Sequence, residues 1–449
     1  MPTPGELYKD DPFFPPNQEL ANVAFQRIAP YSEAFWHYHW NRDEKKAGKY
    51  TLPPIVSKTV REWETKERPD TLQLLKDYMY GCMPPGPDHL RTELLSLRED
   101  ALNNTAIRKE IRIHCDMDNG RHRDFDMLLY VPKNMKHPVP VFMGLNFNGN
   151  QSVTPERDVR MTRAFQQLPA TWMLPHTEEE RGMFVERWCI ETAMKRGYAV
   201  ATVANGEIFP DHPNGLCRSV FALFGNPADL RPDYEVPFRE QKAGWIRRYG
   251  GLAAWSWGLS RMLDALEQEP LVDAKKAAVL GHSRNGKAAL WAGACDRRFA
   301  MVISNCSGCA GAALSRRNFG ESLKLQTYED PAWLCGRVIE FLDRVDELPV
   351  DQHQLLAMIA PRHLYVVSGT GDLNADPKGE FLSVREASKV WNLYGIKGIG
   401  RKTMPKPDTP VGFGARYHIH NGPHLIGPWD WEQYYSYADQ VFGKPERKS

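Results

Sequence analysis

The stretch of sequence that decides the fold is Gly281-His282-Ser283-Arg284-Asn285-Gly286-Lys287-Ala288-Ala289-Leu290. It follows the apolar run Lys276-Ala277-Ala278-Val279-Leu280 and opens a helix-prone segment. A strand, a sharp turn with a serine at its tip and a helix project the serine hydroxyl above the edge of a sheet. The first backbone N–H groups of such a helix point to the place where an oxyanion would form. Ser283 is therefore predicted to be a nucleophile.

The match to the common Gly-x-Ser-x-Gly pattern is imperfect, because the second glycine position holds Asn285 and Gly286 follows one residue later. Asparagine tolerates tight backbone geometry better than most residues. Taken alone, the segment is also compatible with an ordinary strand-to-helix turn. The residues downstream decide between the two interpretations.

Length and charge limit the classes of function. The chain has 449 residues, which allows one large domain or two. With 57 Lys and Arg against 56 Asp and Glu, the net charge is +1. Such a chain has no bulk field to attract nucleic acid or an anionic membrane. No apolar run approaches the roughly 18 residues of a membrane span. We expect a small or neutral substrate and neither a nucleic-acid nor a membrane partner.

The eight cysteines do not indicate a disulfide scaffold in a chain of this length. Cys306 and Cys309 have CxxC spacing, yet no second cysteine pair or nearby histidine cluster completes a zinc site. We expect no metal and no cofactor. Cys306 and Cys309 are expected to be structural thiols or to form a local disulfide.

The pattern of breakers and apolar runs predicts two parts. Residues 1–95, rich in proline and aromatics, are predicted to be an N-terminal extension packed on the core, with a helix at residues 71–80. Residues 96–449 alternate strands with helices, which predicts a mostly parallel central sheet with helices on both faces. The predicted strands are residues 106–115, 126–131, 139–146, 198–204, 277–280, 300–304, 363–368 and 415–420, the first two as a hairpin. Two long insertions, residues 152–186 and 207–248, are predicted to wall the active site.

Acid and base candidates follow Ser283 in a definite order. Asp372 comes directly after a late strand, at the carboxyl edge where ligands bind, and His424 lies after the last strand. Nucleophile, acid and histidine in this order are typical of the α/β-hydrolase fold. The histidine would take the serine proton through Nε2 while the acid holds its other nitrogen. His418 and His420 share one face of the last strand and are predicted to be structural.

Several segments of the chain go beyond this general pattern. The two most specific are Ser283-Arg284-Asn285-Gly286-Lys287 and Arg316-Arg317-Asn318-Phe319-Gly320-Glu321. Four more are Leu145-Asn146-Phe147-Asn148-Gly149-Asn150, Ala254-Trp255-Ser256-Trp257-Gly258-Leu259-Ser260-Arg261, Asp376-Pro377-Lys378-Gly379-Glu380-Phe381 and Trp429-Asp430-Trp431. Together they resemble carbohydrate esterase family 15, the glucuronoyl esterases, from about residue 95 to the C-terminus.

The resemblance implies a serine esterase that hydrolyses esters of glucuronic or 4-O-methylglucuronic acid, notably links between xylan side chains and lignin alcohols. It implies Ser283 as nucleophile, His424 as base and Arg284 as part of the oxyanion hole. It also implies that Lys287 and Glu321 bind sugar hydroxyls. The chemistry of Arg284 agrees, because a fixed positive charge beside backbone donors stabilises a developing oxyanion. From its position alone, Lys287 would be a solvated helix residue.

Two positions depart from the family pattern. Cys306, 23 residues after Ser283, stands where family members often have a glutamate. A thiol cannot replace a carboxylate as partner of an imidazolium without ionising, so Asp372, which matches the alternative acid of bacterial members, is the expected acid. Asn374 stands where many bacterial relatives have a tryptophan near the sugar. We expect position 374 to contact the substrate with weakened stacking.

These observations predict an esterase that forms an acyl-enzyme on a uronate-bearing carbohydrate such as glucuronoxylan. One alternative is a methyl or acetyl esterase acting on another plant or algal polysaccharide. Another is a non-catalytic glycan-binding relative. We expect a monomer. The resemblance implies a secreted or periplasmic location, although the first residues show no signal-peptide pattern.

Overall fold

The computed structural model describes residues 40–165, 175–211, 213–225, 249–330 and 332–448. Residues 1–39 of the predicted extension, and parts of both predicted insertions, lie outside the described residues. Within the described ranges, no helix is both long and apolar enough to span a membrane.

Within the described parts of the chain, ten strands form one sheet. They are β1 His89–Asp100, β2 Ala106–Asp116, β3 His122–Pro132, β4 Val139–Asn146, β5 Ala199–Ala204, β6 Val272–His282, β7 Met301–Asn305, β8 His363–Gly369, β9 Val411–Gly412 and β10 Ala415–His420. Their order across the sheet is β1-β2-β3-β5-β4-β6-β7-β8-β10-β9. Strands β5, β4, β6, β7, β8 and β10 run parallel, whereas β1, β2, β3 and β9 pair antiparallel. The predicted hairpin and the mostly parallel sheet are confirmed.

The main helices are α1 Arg68–Leu75, α2 Ile190–Arg196, α3 Gly251–Leu266, α4 Arg284–Cys295, α5 Leu323–Glu329, α6 Gln352–Ala357, α7 Pro377–Leu393 and α8 Pro428–Phe442. Shorter α-helical pieces are Val60–Glu62, Ala101–Asn104, Val185–Trp188 and Asn205–Ile208. The predicted helix at residues 71–80 lies in a continuous helical stretch, in which α1 is followed by a π-helical segment, Lys76–Tyr80.

Helices cover both faces of the sheet. Successive strand residues point to opposite faces, so Val279 packs with α3 and α4 whereas Ala278 and Leu280 pack with α2 and α8. Nearly every residue of α3 is buried, as expected for a helix that is apolar all round. The α8 side adds an aromatic layer in which Tyr435 stacks on Tyr198 with ring centroids 5.4 Å apart.

Strand β1 is missing from the predicted strands, because it lies at the sheet edge and most of its residues are exposed and polar. Edge strands often carry charged side chains in place of an alternating apolar pattern. The predicted boundary after residue 95 falls inside β1. The described part of the extension also contributes to the core, since Trp63, Leu75 and Met79 are fully buried in it.

Candidate active site

The turn after β6 has the geometry of a nucleophile elbow. β6 ends at His282, α4 begins at Arg284, and Ser283 between them has φ 57° and ψ −129°. Positive φ is uncommon for a residue with a side chain and marks functional turns. The Ser283 side chain does not cap α4. The Ser283 hydroxyl therefore lies at the helix N-terminus and makes no capping hydrogen bond to the helix.

Gly281 is the position where this elbow excludes a side chain. A Cβ there would lie 2.0 Å from Asn285 O, so the strand and the first helical turn are in backbone contact. The Asn285 side chain joins the first turn of α4 to β4, because its buried Nδ2 donates to Leu145 O with a distance of 2.9 Å. The imperfect Gly-x-Ser-x-Gly match thus has a structural explanation.

His424 and Asp372 lie together at the carboxyl ends of β10 and β8. His424 Nδ1 is 2.6 Å from Asp372 Oδ2, and the parallel pairing of His420 with Gly369 brings the two loops side by side. Because Nδ1–H donates to the carboxylate, the His424 Nε2 lone pair is available to accept a proton. Among the described residues no hydrogen bond joins Ser283 to His424, and such bonds commonly tighten only when substrate binds.

His282 packs against His424, with ring centroids 4.5 Å apart. Its Nδ1 lies 2.7 Å from Asn305 Oδ1. Burial is the main reason that the pKa of His282 is lowered to about 3, and the neighbouring His424 lowers it further. His282 therefore stays neutral, and a proton taken from a nucleophile would reside on His424.

Cys306 lies beside the His424–Asp372 pair. Its Sγ and one ligand-type atom of each partner lie within 4.8 Å of one another. Burial raises the pKa of the Cys306 thiol well above its usual value, so this group is a neutral thiol and supplies no charge to an imidazolium. Cys306 and Cys309 are both free thiols, and the alternative of a local disulfide is wrong for this structure.

Glu380, on α7, supports the loop that carries Cys306. Its Oε1 accepts N–H bonds from Ser307 at 3.0 Å and Gly308 at 2.9 Å, and its Oε2 accepts from Ser368 Oγ at 2.5 Å. Burial raises the pKa of Glu380 to about 8. The only sequence signal for this residue is its place in the segment of residues 376–381.

Arg284 is fixed from two sides. Its guanidinium pairs with Asp211 and its central carbon lies 4.7 Å from the ring centroid of Trp333. Trp333 Nε1 donates in turn to the other Asp211 oxygen at 2.6 Å. Burial lowers the pKa of Arg284, but the surrounding carboxylates, Asp211 foremost, together raise it by more, so the net shift is upward. The charge is thus permanent and held at the start of α4, while Asp211 and Trp333 are partners that sequence reasoning missed.

Lys287 is buried, so the interpretation of this position as a solvated helix residue is wrong. Its Nζ donates to Cys309 O at 2.5 Å and to Gln326 Oε1 at 2.7 Å, and lies 3.5 Å from Glu321 Oε2. An ammonium has three donors, and these acceptors use all of them. Glu321 is the more exposed member of the pair.

Asn374 lies next to Glu321 but contacts the segment before the sheet. Glu321 N donates to Asn374 O at 2.8 Å. Asn374 Oδ1 accepts from Arg42 Nε at 3.2 Å and from Arg42 Nη2 at 2.9 Å. Arg42 and Asn374 are more than 300 residues apart in the chain, so no sequence pattern indicates their contact. Arg42 was therefore not among the predicted site residues.

His418 and His420 form a second histidine cluster on β10. His418 Nε2 and His420 Nδ1 lie 3.0 and 3.1 Å from the same Asp430 oxygen. These hydrogen bonds, despite burial, lower the pKa of Asp430 to about 2. Both rings are therefore used to join the last strand to α8, in the structural role that the sequence predicts.

Comparison with known proteins places these features in a family. A family profile described as "Glucuronyl esterase, fungi" matches residues 244–395. The solved glucuronoyl esterase from Solibacter usitatus is 39% identical, with a TM-score of 0.81, covering 89% of this chain and 100% of that one. A promiscuous CE15 esterase from a marine bacterial metagenome is 37% identical, with a TM-score of 0.79, over 89% and 99% of the two chains. A 4-O-methyl-glucuronoyl methylesterase of Hypocrea jecorina is 35% identical over 33% of this chain and 34% of its own.

Proposed function

The chain belongs to carbohydrate esterase family 15, the glucuronoyl esterases, and we propose that it hydrolyses glucuronoyl and 4-O-methylglucuronoyl esters carried by xylan. The observation that carries the proposal is the 2.6 Å contact between His424 and Asp372 at the carboxyl ends of β10 and β8, on the same edge of the sheet as the Ser283 elbow. The methylesterase name of a relative supports a uronate ester as substrate.

The reaction follows from these groups. Ser283 Oγ attacks the ester carbonyl carbon while His424 Nε2 takes its proton. The tetrahedral intermediate collapses, the C–O bond to the alcohol breaks, and the imidazolium of His424 returns the proton to the leaving oxygen. Water then attacks the acyl-enzyme with the same base, which releases the uronic acid and restores the serine. Asp372 keeps Nδ1 protonated and offsets the imidazolium charge.

Charge on the carbonyl oxygen is proposed to be stabilised by the start of α4 and by Arg284. The first N–H groups of a helix lack intrahelical acceptors and carry a partial positive charge. Because Asp211 and Trp333 hold the guanidinium in place, it needs no reorganisation when the oxyanion forms.

The acid sugar is proposed to be bound by Glu321, with Lys287 behind it. Glu321 is partly exposed whereas Lys287 is buried and hydrogen-bonded. The lysine would orient the carboxylate of Glu321, and Glu321 would accept bonds from sugar hydroxyls. A site of this kind rejects analogues that leave its polar groups unpaired.

The test is a substrate panel of benzyl glucuronate, methyl 4-O-methylglucuronate and nitrophenyl acetate, with Ser283→Ala as control for background hydrolysis. We expect kcat/KM to be higher for the uronates than for the acetate. Equal or better efficiency on the acetate would refute the uronate specificity and favour the deacetylase alternative.

An acetyl or methyl esterase acting on another glycan is the second candidate, because a relative of 37% identity is described as a promiscuous CE15 esterase. The same panel separates it from the first. A non-catalytic glycan-binding protein would turn over none of the three esters. We further propose a monomer that acts outside the cytoplasm, where polymeric glycans are found, and sedimentation of the purified chain tests the oligomeric state.

A further inference from the structure

Residues 40–46, here named the N-terminal strap, lie across two loops of the candidate site. Gly320 N donates to Asn41 O at 2.7 Å. Glu44 pairs with Lys378 at the start of α7 with a distance of 2.8 Å, and also with Arg317. The strap is thus attached to the loop that carries Glu321 and to the region that follows Asp372.

The two loops are themselves in backbone contact. Glu321 N donates to Asn374 O at 2.8 Å. Gly320 has φ +66°, and a Cβ there would lie 2.4 Å from Asn374 O, so only glycine permits this approach. Because Glu321 lies 3.5 Å from Lys287 on α4, one chain of contacts connects the strap to the helix that follows Ser283.

Arg42 is the strap residue that reaches this chain of contacts. Its exposed guanidinium donates twice to Asn374 Oδ1, from Nε and Nη2. Arginine has five N–H donors, so three remain. Among the described residues no carboxylate pairs with Arg42, although its guanidinium carbon lies 5.2 Å from the ring centroid of Trp40.

We propose that Arg42 binds the acid sugar beside Glu321, an inference that rests on the proposed function. Asn374 Oδ1 is occupied by Arg42, so Asn374 serves to orient the guanidinium and offers the ligand only its amide donors. A planar guanidinium can lie against a sugar ring and donate to its hydroxyls at the same time. The strap therefore determines specificity for the sugar.

The experiment measures kcat and KM of the whole chain on benzyl glucuronate and nitrophenyl acetate for Arg42→Ala, Arg42→Gln and Arg42→Lys. We expect the ratio of kcat/KM for the uronate to that for the acetate to fall about tenfold in Arg42→Ala, mainly through KM, as for loss of a hydrogen bond from a charged group. Arg42→Lys should recover less than half of the loss on a logarithmic scale, since a lysine has no planar fork.

Two strap variants serve as controls. Lys45→Ala changes an exposed residue and should keep the ratio. Glu44→Gln weakens the attachment of the strap without removing the guanidinium and should cost less selectivity than Arg42→Ala. An unchanged ratio in Arg42→Ala and Arg42→Gln, or equal losses on both substrates, would show a merely structural role and overturn the inference. A wild-type enzyme that prefers the acetate would instead refute the proposed function, so the two failures are distinguishable.

Discussion

Replacement of Asp372 by asparagine tests the proposed acid most directly. The bond that it alters joins His424 Nδ1 to a buried carboxylate at 2.6 Å. Loss of one charge-assisted hydrogen bond costs about 1.5–3 kcal/mol, which corresponds to roughly 10- to 150-fold in rate. The new amide can also favour the tautomer in which Nε2 carries the proton and cannot act as a base. In other triads this substitution lowers kcat by about 10⁴-fold. The His424 side chain is 44% exposed, so water can partly replace the lost hydrogen bond. We therefore expect kcat to fall by about 10³-fold.

The assay compares initial rates of Asp372→Asn and Cys306→Ser on benzyl glucuronate, with melting temperatures to confirm that both variants fold. Cys306→Ser is a matched control, because the residue is buried beside the same pair of side chains but carries no charge. The rate of Cys306→Ser on benzyl glucuronate should fall by less than about tenfold. A carboxylate restored as Cys306→Glu in the Asp372→Asn background should regain part of the lost rate. The opposite ranking of the two single variants would refute the assignment and implicate the thiol or another carboxylate.

Four more predictions address single groups. Ser283→Ala should lower kcat by about 10⁴-fold or more without a change in melting temperature, and near-normal turnover would contradict a serine mechanism. Asp211→Asn should lower kcat about tenfold or more with little change in KM, because it releases the guanidinium that is proposed to stabilise the oxyanion. Lys287→Met should lower the free energy of unfolding by about 3 kcal/mol in chemical denaturation, since it leaves buried acceptors unpaired. The raised pKa of Glu380, about 8, means that the folded state holds this proton more tightly than the unfolded state, so stability is lost as pH rises from about 4.5 through 8. Thermal melts across that range should be flatter for Glu380→Gln, and parallel curves would contradict the assignment.

Local pattern was sufficient to predict the framework of the site. The sharp turn at Ser283 and the strand ends before Asp372 and His424 depend on short apolar runs and their breakers, which can be read without knowledge of the rest of the chain. The order of these three residues along the chain then indicated the fold. Strand β1 could not be found in this way, because an exposed edge strand lacks the alternation that identifies a half-buried one.

The surroundings of the site depend on pairs that sequence spacing does not reveal. Arg284 and Asp211 are 73 residues apart, and Arg42 and Asn374 are 332 apart. Lys287 shows the same limitation, because a lysine in the first turn of a helix is usually solvated and only the packing of the following loops buries it. The fold thus follows from local signals, whereas the fine positioning of charge follows from tertiary contacts.

The close approach at Gly320 constrains how this enzyme can be re-engineered. The loop that ends at Glu321 and the loop that carries Asp372 and Asn374 share a backbone hydrogen bond and leave no room for a Cβ between them. An exchange of one loop for that of a relative would therefore displace the acid of the proposed triad together with Glu321, the proposed sugar-binding residue. Transfer of the proposed sugar specificity to another enzyme would therefore require both loops, and the strap that crosses them, to be moved together.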